Sequence, residues 1–380
     1  MKITGDWINH PGTQALCAAL TAAGHQALFV GGCVRNALLD LAVADIDIAT
    51  DALPETVSNI AKNSGFKVIP TGIDHGTVTV IAQDLAHEVT TFRRDVETHG
   101  RRAVVAFSTQ IIEDAQRRDL TMNALYASAD GTVIDPLGGL PDLLARRVRF
   151  VGDADARIRE DYLRILRFFR FHAIYGDQND GIDAEGLAAC AANADGLDGL
   201  SRERIGSELC KLLAAQNPAP TVASMAQAGV LARILPGSDA RALPILHHFE
   251  VDLPPRWQRR LALIGGENLG DALRLSKAET GSITAVRDEI GTASTPAALG
   301  WKLGINDAQD VVLCRAALFE TPPPDGWQNQ IARGAASIFP VTAADLMPAL
   351  QGPALGAKLR EIQARWLASD LTLTKAQLLA

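Results

Sequence analysis

The sequence feature that most constrains the fold is Asp45-Ile46-Asp47-Ile48, in which acidic and apolar residues alternate strictly. This alternation predicts a half-buried β-strand, because residues two apart on a strand point to the same face. The two isoleucines then enter a core, while the two carboxylates lie together on the opposite face. Two adjacent carboxylates repel each other unless a cation lies between them. The pattern therefore predicts either a magnesium site, since Mg²⁺ prefers oxygen ligands, or the solvated face of an edge strand.

The segment before this strand favours the metal site. Ala27-Leu28-Phe29-Val30 is strand-like and runs into the turn Gly31-Gly32, after which we expect a helix through Leu39. Paired glycines let backbone N–H groups approach a phosphate, and the N-terminus of a helix attracts anions. A strand, a Gly-Gly turn, a helix and a second strand carrying the acidic pair together predict a compact site for phosphate and metal.

Two kinds of secondary structure divide the chain. Up to about residue 138 the pattern predicts short strands with few helices. In that part we expect further strands at 66–69, 77–81 and 87–92, and a helix at 54–63. Beyond residue 140 the spacing predicts helices at 155–175, 201–216, 220–235, 256–265, 306–320 and 354–369. The fold class is therefore α+β, with a mixed-sheet head followed by an all-helical remainder.

Charge and composition exclude little. The net charge of −8 speaks against a nucleic-acid partner, but residues 93–170 hold 14 arginines against 12 acids. Such a stretch can contact phosphates whatever the overall balance. The five cysteines are scattered and never spaced as C-x-x-C, which argues against disulfides and a zinc site. No apolar run approaches a membrane span and no secretion signal is visible, so we expect a cytoplasmic protein without membrane contact.

The glycine turn and the acidic pair carry a resemblance to a known family. Residues 31–35 (GGCVR) followed by 45–50 (DIDIAT) resemble the first motif of bacterial tRNA CCA-adding enzymes and poly(A) polymerases, which belong to the DNA polymerase β nucleotidyltransferase superfamily. The resemblance implies that Asp45 and Asp47 are catalytic ligands of Mg²⁺. It implies a third carboxylate on an adjacent strand, for which Glu88 is the candidate, with a surface residue as the alternative.

Later motifs extend the resemblance. Residues 70–78 (PTGIDHGTV), 117–124 (RRDLTMNA) and 135–143 resemble the family's loop, its R-R-D motif and its hinge. They imply a nucleotidyltransferase head at 1–138, a helical neck at 139–215 and a tRNA-binding helical body and tail at 216–380. The implied contacts to triphosphate and ribose are Gly31, Gly32, Arg35, Arg118, Asp119 and Asn123. An Arg–Asp pair that only caps a helix is the alternative for the R-R-D segment.

The predicted helix 155–175 carries its polar residues on one side. By itself this split predicts an amphipathic helix with a solvated, salt-bridged face. The spacing E-D-x-x-R-x-x-R nevertheless resembles the family's nucleotide-recognition motif, which implies that Asp161 and Arg164 read the base. Glu160 and Arg167 then support that pair. A carboxylate accepts from the amino group of cytosine or adenine, and a guanidinium donates to their ring acceptors, so uracil and guanine are refused.

The resemblance implies template-independent addition of C, C and A to the 3′ end of tRNA, from CTP and ATP with release of pyrophosphate. A poly(A) polymerase and a partial enzyme adding only CC or only A share the head motifs and stay open as alternatives. A non-catalytic tRNA-binding protein is a more remote one. The resemblance also implies that the segment between Arg94 and Phe107, with Arg101 and Arg102, helps to switch from C to A.

Overall fold

The computed structural model describes residues 1–70, 72–99, 102–250, 252–347 and 349–380. They form two compact units, residues 1–200 with 227–230 and residues 201–226 with 231–380. The described strands lie in the first unit and the second unit is helical, so the predicted α+β class with a mixed-sheet head is confirmed. The finer division at residues 138 and 215 stays a prediction. Arg101 and the side chain of Arg102 lie outside the described residues.

A mixed sheet forms the framework of the first unit. The strands in chain order are β1 Leu28–Val30, β2 Ile46–Thr50, β3 Lys67–Ile69, β4 Thr77–Ala82, β5 Leu85–Thr91, β6 Arg93–His99, β7 Arg102–Phe107, β8 Tyr126–Ala127 and β9 Val133–Ile134. Within the described residues seven strands share one sheet in the order β3-β4-β5-β2-β1-β8-β9, and β6 pairs with β7 separately. Only β2 and β5 run parallel in this sheet. Strands β1 to β5 fall within one or two residues of the predicted positions.

Helices surround this sheet and continue beyond it. They are α1 Asp6–Asn9, α2 Pro11–Ala22, α3 Gly32–Leu38, α4 Pro54–Asn63, α5 Ile111–Gln116, α6 Leu140–Leu144, α7 Ala154–Glu160, α8 Leu163–Tyr175 and α9 Ala184–Ala192. The helix predicted at 54–63 is confirmed at both ends. The single helix predicted over 155–175 is wrong, because Asp161 is extended, with φ −153° and ψ 106°. Its Oδ1 accepts from the Leu163 N–H at 3.1 Å, which ends α7 and starts a new helix.

The second unit is built from helices, which begin with α10 Arg202–Leu213, α11 Ala219–Gln227, α12 Val230–Ile234, α13 Leu243–Phe249, α14 Trp257–Ile264 and α15 Leu269–Ala272. They continue with α16 Lys277–Ile290, α17 Pro296–Leu318, α18 Trp327–Ala336, α19 Gly352–Ala368 and α20 Lys375–Leu379. The helix predicted at 220–235 is two helices, because Gly229 takes a left-handed φ of 74° between them. Helix α17 contains a kink at Gly304, whose φ and ψ are not helical.

A network of buried charges holds part of the second unit together. Asp310 is fully buried, and its two oxygens accept from Arg256 at 2.6 Å and from Arg259 at 2.7 Å. Glu250 bridges Arg259 and Arg260, each at 2.9 Å. Arg260 also donates to the Leu213 carbonyl at 2.6 Å. Each of these buried charges therefore has an opposite charge beside it, which offsets the cost of removing it from water.

Helices α17 and α18 touch backbone to backbone. A Cβ at Gly300 would overlap the carbonyl of Ile331, and a Cβ at Gly334 would overlap the carbonyl of Ala297. The contact is therefore reciprocal, with one glycine on each helix facing the other helix's backbone.

Two expectations about composition can be compared with the structure. All five cysteines are free thiols, and four of them are buried. In the described part of the chain, none of the helices combines the length and apolarity that crossing a membrane requires.

Candidate active site

The acidic pair lies where the sequence predicts it. Ile46 and Ile48 are buried, whereas Asp47 is half-buried and Asp45 is exposed just before β2 begins. Because β2 runs parallel to β5, Asp47 lies directly opposite Glu88 in the register of the two strands. The structure thus places three carboxylates at neighbouring positions on, or just before, two strands in the interior of the sheet.

The electrostatics of Asp47 reflect that crowding. Burial raises the pKa of the Asp47 carboxyl to about 6; the negative charges of Glu88 and Asp45 act in the same direction and Arg118 in the opposite one. A divalent cation beside the pair would relieve this repulsion. The residues present therefore fit a hard cation with oxygen ligands.

The protein supplies only part of such a cation's ligand shell. Within the described ranges, no three or more His, Cys, Asp or Glu side chains are grouped so that they could hold a metal among themselves. A cation at the acidic pair would complete its shell with water and substrate oxygens, as is usual where Mg²⁺ meets phosphates. Glu88 as a third ligand stays a prediction.

The glycine turn is shaped by two local requirements. Gly31 follows β1 with a left-handed φ of 69°, which a residue with a side chain rarely adopts. A Cβ at this position would lie 3.2 Å from Nη1 of Arg118. Helix α3 begins at Gly32, so the turn delivers the chain into the helix beside a guanidinium. A turn of this shape lets backbone N–H groups approach a phosphate, and the phosphate contact of Gly31 and Gly32 stays a prediction.

Arg118 is held by residues that the sequence analysis did not single out. Asp114 is buried and accepts from Nη2 of Arg118 at 3.0 Å and from the Tyr126 hydroxyl at 2.7 Å. Nε of Arg118 also lies 3.2 Å from the Tyr126 hydroxyl. Burial alone lowers the pKa of Arg118, but Tyr126 and Asp114 raise it further than that, so it stays charged. The spacing of Asp114 and Arg118, four residues apart, was the available sequence signal.

A chain of polar contacts links the R-R-D motif to helices α3 and α8. Asp119 accepts from Arg167 at 2.6 Å on one oxygen and from Asn123 at 3.0 Å on the other. Asn123 in turn accepts from Arg35 at 2.6 Å, and Arg35 donates to the Tyr175 hydroxyl at 2.8 Å. Although burial by itself raises the pKa of Asp119, Arg167 and Asn123 hold it below its usual range.

These contacts bury Arg35 and hold it in place. Its side chain is buried, burial lowers its pKa, and its guanidinium carbon lies 4.2 Å from the centre of the Tyr175 ring. The sequence analysis had no way to find Tyr175 as its partner, because the two residues are 140 positions apart. A direct contact from Arg35 to a triphosphate stays a prediction.

The predicted base readers lie at the break between α7 and α8. Arg164 donates from Nη1 to Glu160 at 2.6 Å and to the Arg157 carbonyl at 3.0 Å, and from Nη2 to the Arg117 carbonyl at 3.1 Å. Glu160 also pairs with Arg157 at 2.5 Å. Glu160 thus orients Arg164, and its role as a support for base recognition stays a prediction. Asp161 is half-buried near Arg164 in the sequence. Its backbone is extended, so it does not lie on a helix face.

Comparison with known proteins places this site in a family. Residues 27–149 match the family described as Poly A polymerase head domain, and residues 181–241 match the probable RNA and SrmB-binding site of polymerase A. The CCA-adding enzyme of Lacticaseibacillus paracasei is 32% identical over 370 residues, which are 93% of this chain and 90% of that protein. The chain belongs to the CCA-adding enzyme family. The predicted recognition is thereby confirmed.

Several other relatives match about half of the chain. Human mitochondrial CCA tRNA nucleotidyltransferase 1 is 43% identical over 203 residues, 53% of this chain and 47% of that protein. The chain therefore spans about half the length of several curated relatives that it matches. A crystal structure of the Bacillus stearothermophilus CCA-adding enzyme in complex with CTP aligns with a TM-score of 0.74 at 30% identity, over 94% of this chain and 93% of that one.

Proposed function

We propose that this chain adds C, C and A, without a template, to the 3′ end of tRNA, using CTP, ATP and Mg²⁺ and releasing pyrophosphate. The observation that carries the proposal is the carboxylate of Asp47, which lies close to the negative charges of Glu88 and Asp45. The chain is a member of the CCA-adding enzyme family, and its Gly31 turn lies beside Arg118. The solved relative named in complex with CTP supports the choice of substrate.

Asp45 and Asp47 would hold the Mg²⁺, with Glu88 as a candidate third ligand. When bound, the ion would lower the barrier to attack of a 3′-hydroxyl on the α-phosphate and stabilise the leaving pyrophosphate. The protein's own part is positioning. Arg118 neutralises phosphate charge at the Gly31 turn, and Asp119, held by Arg167, accepts from the ribose hydroxyls.

Base selection falls to Asp161 and Arg164. Asp161 would accept from the amino group of cytosine or adenine, and Arg164 would donate to a ring acceptor of the same base. Uracil or guanine would leave acceptor facing acceptor and donor facing donor. The part-buried ion pair between Arg164 and Glu160 keeps the guanidinium in one orientation, which would let a protein surface replace a template.

The remainder of the chain would carry the tRNA. We retain a head at 1–138, a neck at 139–215 and a tRNA-binding body and tail at 216–380. The five free thiols agree with a reducing cytoplasm as the compartment.

The reaction is tested by incubating the protein with Mg²⁺, labelled CTP and ATP, and tRNAs that end before, within and after CCA. Addition that stops at CCA is the expected result. A growing tail of A would instead make the chain a poly(A) polymerase, and addition limited to CC or to A a partial enzyme. Binding of tRNA without any incorporation would leave a non-catalytic binding protein.

Base reading is tested by changing the residue that orients Arg164. Glu160→Gln should lower the preference for CTP over UTP by about 5- to 150-fold, because one mismatched buried polar contact costs ~1–3 kcal/mol. The measurement is the ratio of kcat/KM for the two nucleotides. Glu185→Gln removes the same charge from an exposed position of α9 and should leave the ratio unchanged. An unaltered ratio in both Glu160→Gln and Arg164→Ala would refute the base-reading assignment.

A further inference from the structure

The second unit contains a cleft of about 660 Å³ that no part of the proposed chemistry uses. Its walls come from residues 268–275, around α15, and from one side of α16. Three cations line it, Arg274, Lys277 and Arg287, against the single acid Asp271 among its lining residues. The cleft is therefore locally basic in a chain whose net charge is −8.

Two of these cations have no neutralising partner in the part of the chain that the structure describes. Arg274 and Lys277 are exposed and show no ion pair or side-chain hydrogen bond among the described residues. Arg287 is anchored by a bond from Nη1 to the Gly266 carbonyl at 3.1 Å and still lines the cleft. Unpaired cations that face a concave surface attract anions and raise their local concentration.

The backbone around Arg274 is arranged at a cost. Arg274 has a left-handed φ of 54°, which is uncommon for a residue with a side chain. The turn between α15 and α16 thereby places a long cationic side chain at the cleft. At the start of α16 the Ser276 side chain accepts from the Glu279 N–H in a capping box. The groups that would attract an anion into the cleft are its cationic side chains.

The shape of the cleft favours an extended anion. Lys277, Thr280, Thr284 and Arg287 recur at helical spacing along α16, and the ten helical steps from Lys277 to Arg287 span about 15 Å. Cations at both ends with hydroxyl donors between them suit a run of phosphates better than one phosphate. Gly281 lies within this stripe and leaves open space above the helix, since a Cβ there would meet no atom within 4 Å.

We propose that the cleft between α15 and α16 binds the phosphate backbone of the RNA substrate, through Arg274, Lys277 and Arg287. That the RNA is tRNA rests on the proposed function. The cleft adds a contact site that is remote in sequence from the nucleotide-binding residues. It predicts that this site sets the affinity for tRNA and leaves the affinity for CTP unchanged.

The test uses the full chain and a tRNA that lacks CCA. Arg274→Gln with Lys277→Gln should weaken tRNA binding about tenfold, and should reduce the slope of log K against log salt by about 1.8, or about 0.9 for each lost phosphate contact. The matched control, Arg202→Gln with Lys211→Gln, removes two exposed cations of the same unit that do not line the cleft and lie outside residues 216–380. It should leave the slope close to that of the wild type.

A second pair of variants keeps the test independent of lost side chains. Gly281→Glu places a carboxylate in the cleft and should weaken tRNA binding, whereas Gly281→Ala should not. Thermal melts of all variants establish that they fold. Steady-state kinetics give the KM for CTP, and calorimetry gives the binding of inorganic phosphate. Together these two measurements distinguish an RNA site from a site for free anions.

The proposal is overturned if the cleft variants bind tRNA like their controls. It is also overturned if they lose phosphate or CTP binding while tRNA binding is unchanged. Failure of the proposed function is a different result, namely no nucleotide incorporation by the wild type on any tRNA. In that case a loss of RNA binding in the cleft variants alone would still support the cleft.

Discussion

The head and the helical unit use charged residues in opposite ways. In the head, Asp47 lies opposite Glu88 and next to Asp45, so that like charges are adjacent and partly open to solvent. In the helical unit, Asp310 and Glu250 are buried and each is flanked by two arginines. The first arrangement costs free energy in the absence of a further partner, whereas the second is neutralised internally.

This difference separates residues that await a substrate from residues that hold the fold. A carboxylate kept beside another carboxylate is explained by a cation or substrate that arrives later. A carboxylate enclosed by guanidinium groups is already satisfied and can do little else. The comparison predicts that mutations in the two regions will affect activity and stability separately.

The largest effect is expected at Asp47. Asp47→Asn should reduce nucleotide incorporation by more than about 10³-fold, because it removes a ligand whose cation supplies several kcal/mol to the reaction. The melting temperature should be unchanged or higher, since repulsion by Glu88 is relieved. Incorporation assays and thermal melts on the same samples measure both quantities.

Asp40→Asn is the control for that change. Asp40 is exposed and has a left-handed φ of 56°, which asparagine tolerates. Activity within tenfold of the wild type in Asp47→Asn would mean that the acidic pair does not hold the catalytic cation, and the comparison between the two regions would then fail.

The buried network should show the reverse behaviour. Asp310→Asn leaves Arg256 and Arg259 short of a buried negative charge and should cost about 3–5 kcal/mol of stability in the helical unit. Because the chain has two units, the measurement is hydrogen exchange resolved to peptides of each unit. The KM for CTP of the folded protein should not change.

An exposed ion pair provides the reference for this prediction. Asp239 pairs with Arg241 at 2.5 Å on the surface of the same unit, so Asp239→Asn should give no measurable change in exchange. Equal effects of Asp310→Asn and Asp239→Asn would show that the buried network does not stabilise the unit.

The smallest effect is expected at Tyr175, and it decides what Arg35 does. Tyr175→Phe removes one hydrogen bond to Arg35 and should cost about 0.5–1.5 kcal/mol of stability in the first unit. If Arg35 only supports Asn123, the KM for CTP should change less than twofold, which steady-state kinetics can measure. A large increase in KM without loss of stability would instead favour the direct triphosphate contact predicted from the sequence.

Local patterns were sufficient for strands β1 to β5 and for the acidic pair of the first motif. The alternation at 45–48 gave the buried and open faces of β2, and Pro54 marked the first turn of a helix that ends where expected. These features depend on neighbours within a few residues. The partner of Arg35 could not be predicted from near neighbours, because Tyr175 contacts Arg35 only after the intervening chain has folded.

The break at Asp161 shows the limit of periodicity. Apolar spacing continues from α7 into α8, so a helical wheel joins them. Asp161 instead bonds to the backbone of Leu163, a capping signal that was present in the sequence as an acid just before an apolar run. The predicted base reader Asp161 is thus an extended residue between two helices. It does not share a helical face with Arg164, as the single predicted helix implied.

The backbone contact between α17 and α18 has a consequence for how the sequence can vary. At positions 300 and 334 even a methyl group would enter the space of a carbonyl on the other helix. A change at either position can be accommodated only if the two helices separate, and no substitution at the other position restores the distance. In a protein that keeps this fold, we expect both positions to remain glycine. Sequence changes in the two helices are then confined to other positions.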